Sequence, residues 1–153
     1  MKYPTTYTML DALMASPTEP MKPERRRNQL TKIYEALRAI QLDPAPTKSD
    51  WQILCYACNM VEALIEIGAC EDADGLYDDA IKSIADVNRR VQSGLPMRLD
   101  GEGLRNVRQL VAAYDELLGV VPERTMIAAN RQLEKRVFDI LRGNRKRKDN
   151  LIG

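Results

Sequence analysis

The sequence predicts an all-α, single-domain helical bundle of four to five helices. Three observations carry that expectation. The stretch from Ser49 to Gly68 is apolar on nearly every side of a helix, and its polar residues Gln52, Asn59, Glu62 and Glu66 fall on one narrow stripe. Such a helix has to be wrapped by other elements. The segments around it repeat apolar residues at intervals of three and four, the period of amphipathic helices. No run alternates between apolar and polar residues between turn dipeptides, so nothing reads as a strand.

Each element follows from its own residues. An N-terminal arm over 1–23 holds an apolar patch, Tyr7, Met9, Leu10, Leu13 and Met14, with the length of one or two helical turns. Pro17, Pro20 and Pro23 then interrupt any helix, and Pro23 suits the first turn of the next one. From Glu24 to Gln41, Leu30, Ile33, Leu37 and Ile40 form a stripe, which Pro44 and Pro46 end. Ser49 and Gln52 have capping-box spacing for the central helix, and Gly68 is its stop. The link A-C-E-D is short, so the following helix, 72–93, is expected antiparallel to it. That helix buries Ala73, Tyr77, Ala80, Ile84, Val87 and Val91, with acids at its start and Arg89 and Arg90 at its end, as its dipole favours. Asp100 is the natural N-cap of a helix through Val107, Val111, Tyr114 and Leu118, and Gly119 to Pro122 reads as a tight turn. The last helix, from Pro122 to about Arg142, buries Met126, Ala129, Leu133, Val137 and Ile140. The bundle thus spans 24–142, four to five helices after the N-terminal arm, and 143–153 is expected to be a basic flexible tail.

Composition bounds the chemistry. At 153 residues with 44% hydrophobic and 29% charged side chains, the chain is long and apolar enough for one core. A net charge of +1 gives no global pull toward nucleic acid or membrane. The amide and carboxylate stripe on the central helix argues against a membrane span. Three cysteines, an odd number, and an N-terminus without an apolar run point to a reducing cytoplasm. Histidine is absent, which removes the usual general base near neutral pH and the commonest metal ligand. No cofactor is expected, and no G-x-S-x-G, P-loop or G-x-G-x-x-G occurs.

Four constellations have to be weighed. Cys55 and Cys58 form a C-x-x-C, but they lie inside an apolar run rather than at a helix start, and read as small core residues. In E-D-A-D-G-L-Y-D-D, counting from Asp72 puts Gly75 fourth and Ser83 twelfth, which fails the calcium-loop pattern. The paired acids of α-helical pyrophosphohydrolases are matched only by Glu71 and Asp74, since Glu62 and Glu66 are four apart; a metal-dependent all-α hydrolase on Glu62, Glu66 and Asp78 is therefore a third reading. Between Glu62 and Asp79 stand seven acids and no Lys or Arg. Read as the exposed side of the central helix and the start of the next, Glu62, Glu66, Glu71, Asp74, Asp78 and Asp79 form an acidic contact face for a basic partner.

Positive charge gathers at Arg25–Arg27, at Arg89, Arg90, Arg98, Arg105 and Arg108, and at Arg142, Arg145, Lys146, Arg147 and Lys148. The last two groups are the nucleic-acid alternative, tracking a phosphate backbone without interleaved aromatics for base stacking. The sequence leaves open whether Tyr34, Tyr56 and Tyr114 sit in the core or in a homodimer interface.

The stretch M-R-L-D-G-E-G-L-R-N-V-R-Q-L-V-A-A-Y, followed by V-P-E-R-T-M-I-A-A-N-R-Q-L-E-K-R-V-F-D-I-L-R-G, resembles small helical accessory proteins of proteobacterial phages and integrative elements. The likeness covers roughly residues 47–145 and carries over no functional residue. It implies the setting of a mobile element, whose small proteins often regulate element genes or block host defences, anti-CRISPR proteins among them. Together these readings give a non-enzymatic helical binding protein, an inhibitor or regulator with a protein partner.

Overall fold

A computed structural model describes residues 7–143. Among them are six α-helices and one 3-10 turn: α1 (Met9–Met14), α2 (Pro23–Leu42), α3 (Lys48–Glu66), the turn Ala73–Gly75, α4 (Leu76–Gln92), α5 (Gly101–Val120) and α6 (Glu123–Leu141). The class is all-α, as expected, but four to five helices is an undercount. Five long helices form the bundle, and α1 is a sixth because Thr8 and Asp11 cap it reciprocally. The basic tail expected over 143–153 falls, apart from Gly143, outside the described residues.

α3 is the centre of the bundle. It packs against α2, α4, α5 and α6, and every residue from Leu54 to Leu64 is buried. Its cap lies two residues before the expected pair: Thr47, not Ser49, accepts from the Asp50 N–H at 3.2 Å, and Asp50 accepts from the Thr47 N–H at 2.9 Å. The helix begins at Lys48, so the Thr47 hydroxyl, two residues before Ser49, meets the first free N–H groups. At the other end Gly68 is left-handed at φ 77°, and the Ala69 N–H reaches back to the Leu64 carbonyl at 2.9 Å.

α2 and α5 present the faces their spacing predicts; in α4 the expected stripe holds only in the middle, since Ala73 lies in the preceding 3-10 turn and is exposed, as is Val91 at the far end. Ile33, Leu37 and Ile40 of α2, Ala80, Ile84 and Val87 of α4, and Val107, Val111, Tyr114 and Leu118 of α5 all join one core. Asp100 caps α5, accepting from the Gly103 N–H at 2.6 Å. Ser83 of α4 accepts from Asn106 of α5 at 3.1 Å, while Tyr77 faces Leu110, so α4 and α5 run antiparallel. α5 continues through Gly119 instead of turning there. Arg26 crosses Gly119 to pair with Asp115 at 2.7 Å, so a Cβ there would stand 2.7 Å from its Nη1 and the guanidinium would have to shift.

α6 lies along α3 in the same direction, with Asn130 meeting Tyr56 and Arg136 meeting Asn59. It is rolled relative to expectation: Met126, Ala129, Asn130, Leu133 and Arg136 are buried, whereas Val137 and Ile140 are only half-buried. Burial divides the three tyrosines. Tyr56 and Tyr114 are interior, and Tyr34 is exposed with its hydroxyl donating to Asp115 at 2.9 Å. A polar line crosses the core here. Gln29 donates to the Tyr114 hydroxyl at 2.6 Å, Tyr114 bonds Tyr56, and Asn130 donates to the Tyr56 hydroxyl at 3.1 Å.

Candidate partner-binding face

The expected acidic face divides into a buried half and an exposed half. Glu62 is only 5% exposed, so its placement on a solvent-facing stripe is corrected. It forms a salt bridge with Arg136, itself 1% exposed. Glu66 is half-exposed and stands 3.4 Å from the same guanidinium, with Gln132 donating to it at 3.3 Å. Arg136 also donates to the Asn59 carbonyl at 3.3 Å. Asn59 and Glu62 of the polar stripe are thus covered by α6, while Glu66 stays exposed at its edge. A buried carboxylate needs a cation and further donors beside it, and Arg136 with Tyr77 supplies them. Burial first, and then the Glu62 charge that its hydroxyl hydrogen-bonds, pushes Tyr77 above the usual phenol value.

The exposed half lies on the connection between α3 and α4. Asp74 at φ 56° and Gly75 at φ 68° turn the chain sharply into α4. Asp72 caps that helix, accepting from the Tyr77 N–H at 2.8 Å and the Asp78 N–H at 3.4 Å. Glu71, Asp74, Asp78 and Asp79 remain at the surface. They follow one another through the connection and the first turn of α4, and no Lys or Arg occurs between residues 62 and 81.

Beside these acids a cleft of about 330 Å³ opens between the connection and α5. Val61, Leu76, Tyr77, Leu110 and Leu117 give it apolar walls, and Glu71, Asp72, Cys70 and Glu116 complete its lining. Glu71 and Glu116 are exposed and therefore stand at its mouth. Cys70 is half-buried, and burial followed by the Asp72 charge pushes its thiol up. Cys55 and Cys58 are buried free thiols; burial holds Cys58 well above the ordinary range, then its neighbour Cys55.

The basic residues divide as well. Arg89 pairs with Asp86, Arg90 donates to the Arg98 carbonyl at 2.6 Å, and Arg98 donates to the Pro44 carbonyl at 2.8 Å. Arg98 thus ties the α4–α5 turn to the α2–α3 turn. Arg105 and Arg108 are exposed on the outer face of α5. Arg142 stacks on Phe138 at 4.9 Å. It follows Arg136, which packs near the C-terminal end of α3, whereas Pro44 precedes the N-terminal end. The two basic groups therefore lie toward opposite ends of a helix about 28 Å long. Arg145, Lys146, Arg147 and Lys148 lie outside the described residues.

Sequence reasoning missed Arg136 and Asn130. The signal was present: Ala129, Leu133 and Arg136 are spaced four and three, and Met126 and Asn130 four apart, on the same inward face. Among the described residues, no three His, Cys, Asp or Glu side chains group to hold a metal, and no helix is long and apolar enough to cross a membrane. Compared with known proteins, the chain matches no family model, no curated protein and no solved structure.

Proposed function

We propose that this chain is a non-enzymatic helical binding protein that acts through macromolecular contact, with Glu71, Asp74, Asp78 and Asp79 as its contact face. The observation that carries the reading is their shared exposure on the α3–α4 connection, in a segment without Lys or Arg between residues 62 and 81. Such a face attracts a basic partner and repels phosphate. An enzymatic role for Glu62 and Glu66 is disfavoured because Arg136 already engages both. The setting proposed is the cytoplasm of a bacterium carrying a mobile element, with the protein inhibiting or regulating a basic protein, host defence systems such as CRISPR effectors included.

The test is a pull-down of the tagged protein from bacterial lysate, with and without nuclease, at low and high salt. A stoichiometric protein that survives nuclease, and is lost on Glu71→Lys with Asp74→Lys, is the expected result. Recovery of nuclease-sensitive material alone overturns the reading. It moves the contact to Arg105 and Arg108, the exposed arginines of α5.

A further inference from the structure

We infer that the cleft between the α3–α4 connection and α5 docks a polypeptide segment in which an apolar side chain is flanked by lysines or arginines. This rests on the proposed binding function and names the chemistry of its partner. The cleft's volume, about 330 Å³, is at the lower end of ligand pockets and suits a few side-chain groups. Its depth is apolar, from Val61, Leu76, Tyr77, Leu110 and Leu117, so it rewards an aliphatic or aromatic anchor. Its mouth is acidic, from Glu71, Asp72 and Glu116, with Asp74 and Asp78 close by in the same connection. Charge complementarity therefore calls for cations on either side of the anchor. A polyamine has the charge without the anchor, and a nucleic acid has the wrong charge. The wall is already formed: Tyr77 is held on Glu62, which Arg136 fixes from α6. Little ordering is left to be done on binding.

Three labelled peptides test this against the full chain: K-R-K-L-L-K-R-K, K-R-K-G-S-K-R-K and E-D-E-L-L-E-D-E. Binding is read by fluorescence polarisation. Cys70 gives a second readout, because it lines the cleft while Cys55 and Cys58 are buried, so an occupant slows its reaction with an aromatic disulfide reagent. The first peptide is expected to bind about tenfold more tightly than either other one and to protect Cys70. Ala113→Phe, which fills the cleft from a half-buried position, should remove that advantage. Glu71→Lys with Glu116→Lys, both at the surface, should do the same in a chain whose helical spectrum is unchanged. Equal binding of the two basic peptides, with Cys70 unprotected, overturns the cleft but leaves the acidic contact face standing. Failure of all three together with an empty pull-down overturns the binding function itself. If Arg145→Glu with Arg147→Glu raises the first peptide's affinity about tenfold, the chain's own basic end is the occupant, and the external partner is overturned.

Discussion

Arg136 is 1% exposed with the carboxylates of Glu62 and Glu66 against it, and a buried pair of this kind is costly to break from one side. Arg136→Met keeps the length of the side chain but leaves Glu62 buried without its cation. The expected loss is about 3–5 kcal/mol of unfolding free energy, read from urea denaturation. Adding Glu62→Gln to that variant should restore a large part, because the uncompensated charge is then gone; a single variant within about 0.5 kcal/mol of the parent contradicts the burial of this pair. A second expectation concerns alkaline pH. Burial keeps the hydroxyl of Tyr114 protonated well above the ordinary phenol value of 10.0, and Tyr77 is shifted the same way. Above about pH 10 the unfolded chain loses these protons while the folded chain keeps them. The unfolded state then binds fewer protons, so stability is full below pH 10 and falls as pH rises, by up to about 1.4 kcal/mol per pH unit for each such phenol. Tyr114→Phe should lower stability at neutral pH by about 1 kcal/mol, through its lost hydrogen bonds, yet flatten the alkaline slope. Denaturation midpoints across a pH series separate the two effects. An unchanged slope shows that Tyr114 is not the group responsible.

At the scale of the helix, the presence of every long element and the inward stripes of α2 and α5 were legible, because burial repeats with a period of 3.6 residues and the prolines and glycines punctuate it; the start of α4 and the roll of α6 were not. Pro23 opens α2, Asp100 caps α5 and Gly68 ends the ladder of α3. The cap of α3 was not legible, since Thr47–Asp50 and Ser49–Gln52 have the same spacing and only the path of the chain after Pro46 chooses between them. Thr47→Ala should therefore cost about 1 kcal/mol, whereas Ser49→Ala should change stability by less than about 0.5 kcal/mol; thermal unfolding of the two variants decides. The reverse order restores the cap the spacing first suggested. The exposed acids Glu71, Asp74, Asp78 and Asp79 were legible as a local cluster. Glu62 was not, because a carboxylate on an apolar helix looks the same in sequence whether water or Arg136 stands opposite. The cleft was not legible either: Val61, Leu76 and Val120 meet only through the packing of α3, the start of α4 and α5.

At the scale of the molecule, stability is distributed unevenly, and the layout says how. α3 is covered by four helices, so its amides from Leu54 to Leu64 can open only when the bundle does. α6 instead packs chiefly on α3, anchored by Met126, Ala129 and Leu133, with Asn130 and Arg136 buried beside them. Beyond Arg136 its last turn is half-buried or exposed, with Phe138 55% and Leu141 81% exposed. Its start is held by the arm before α2, where the Glu123 and Arg124 N–H groups donate to the Glu19 and Ser16 carbonyls at 2.9 and 3.0 Å. Native-state hydrogen exchange should therefore show a graded order: the end of α6 first, its first turns later, and α3 last at the global free energy. Arg136→Met removes the ion pairs of Arg136 with Glu62 and Glu66 between α6 and the centre, and should lower the opening free energy of α6 more than that of α3 at low denaturant. A partner docked in the cleft presses on Tyr77, whose hydroxyl rests on Glu62 and hence on Arg136, so the same amides of α6 should slow when the basic, leucine-bearing peptide is bound. Protection confined to α4 and α5 would mean that the network does not carry the contact across the bundle. Protection reaching α6 would mean that Glu62, lost as a surface charge, couples the contact face to the far helix.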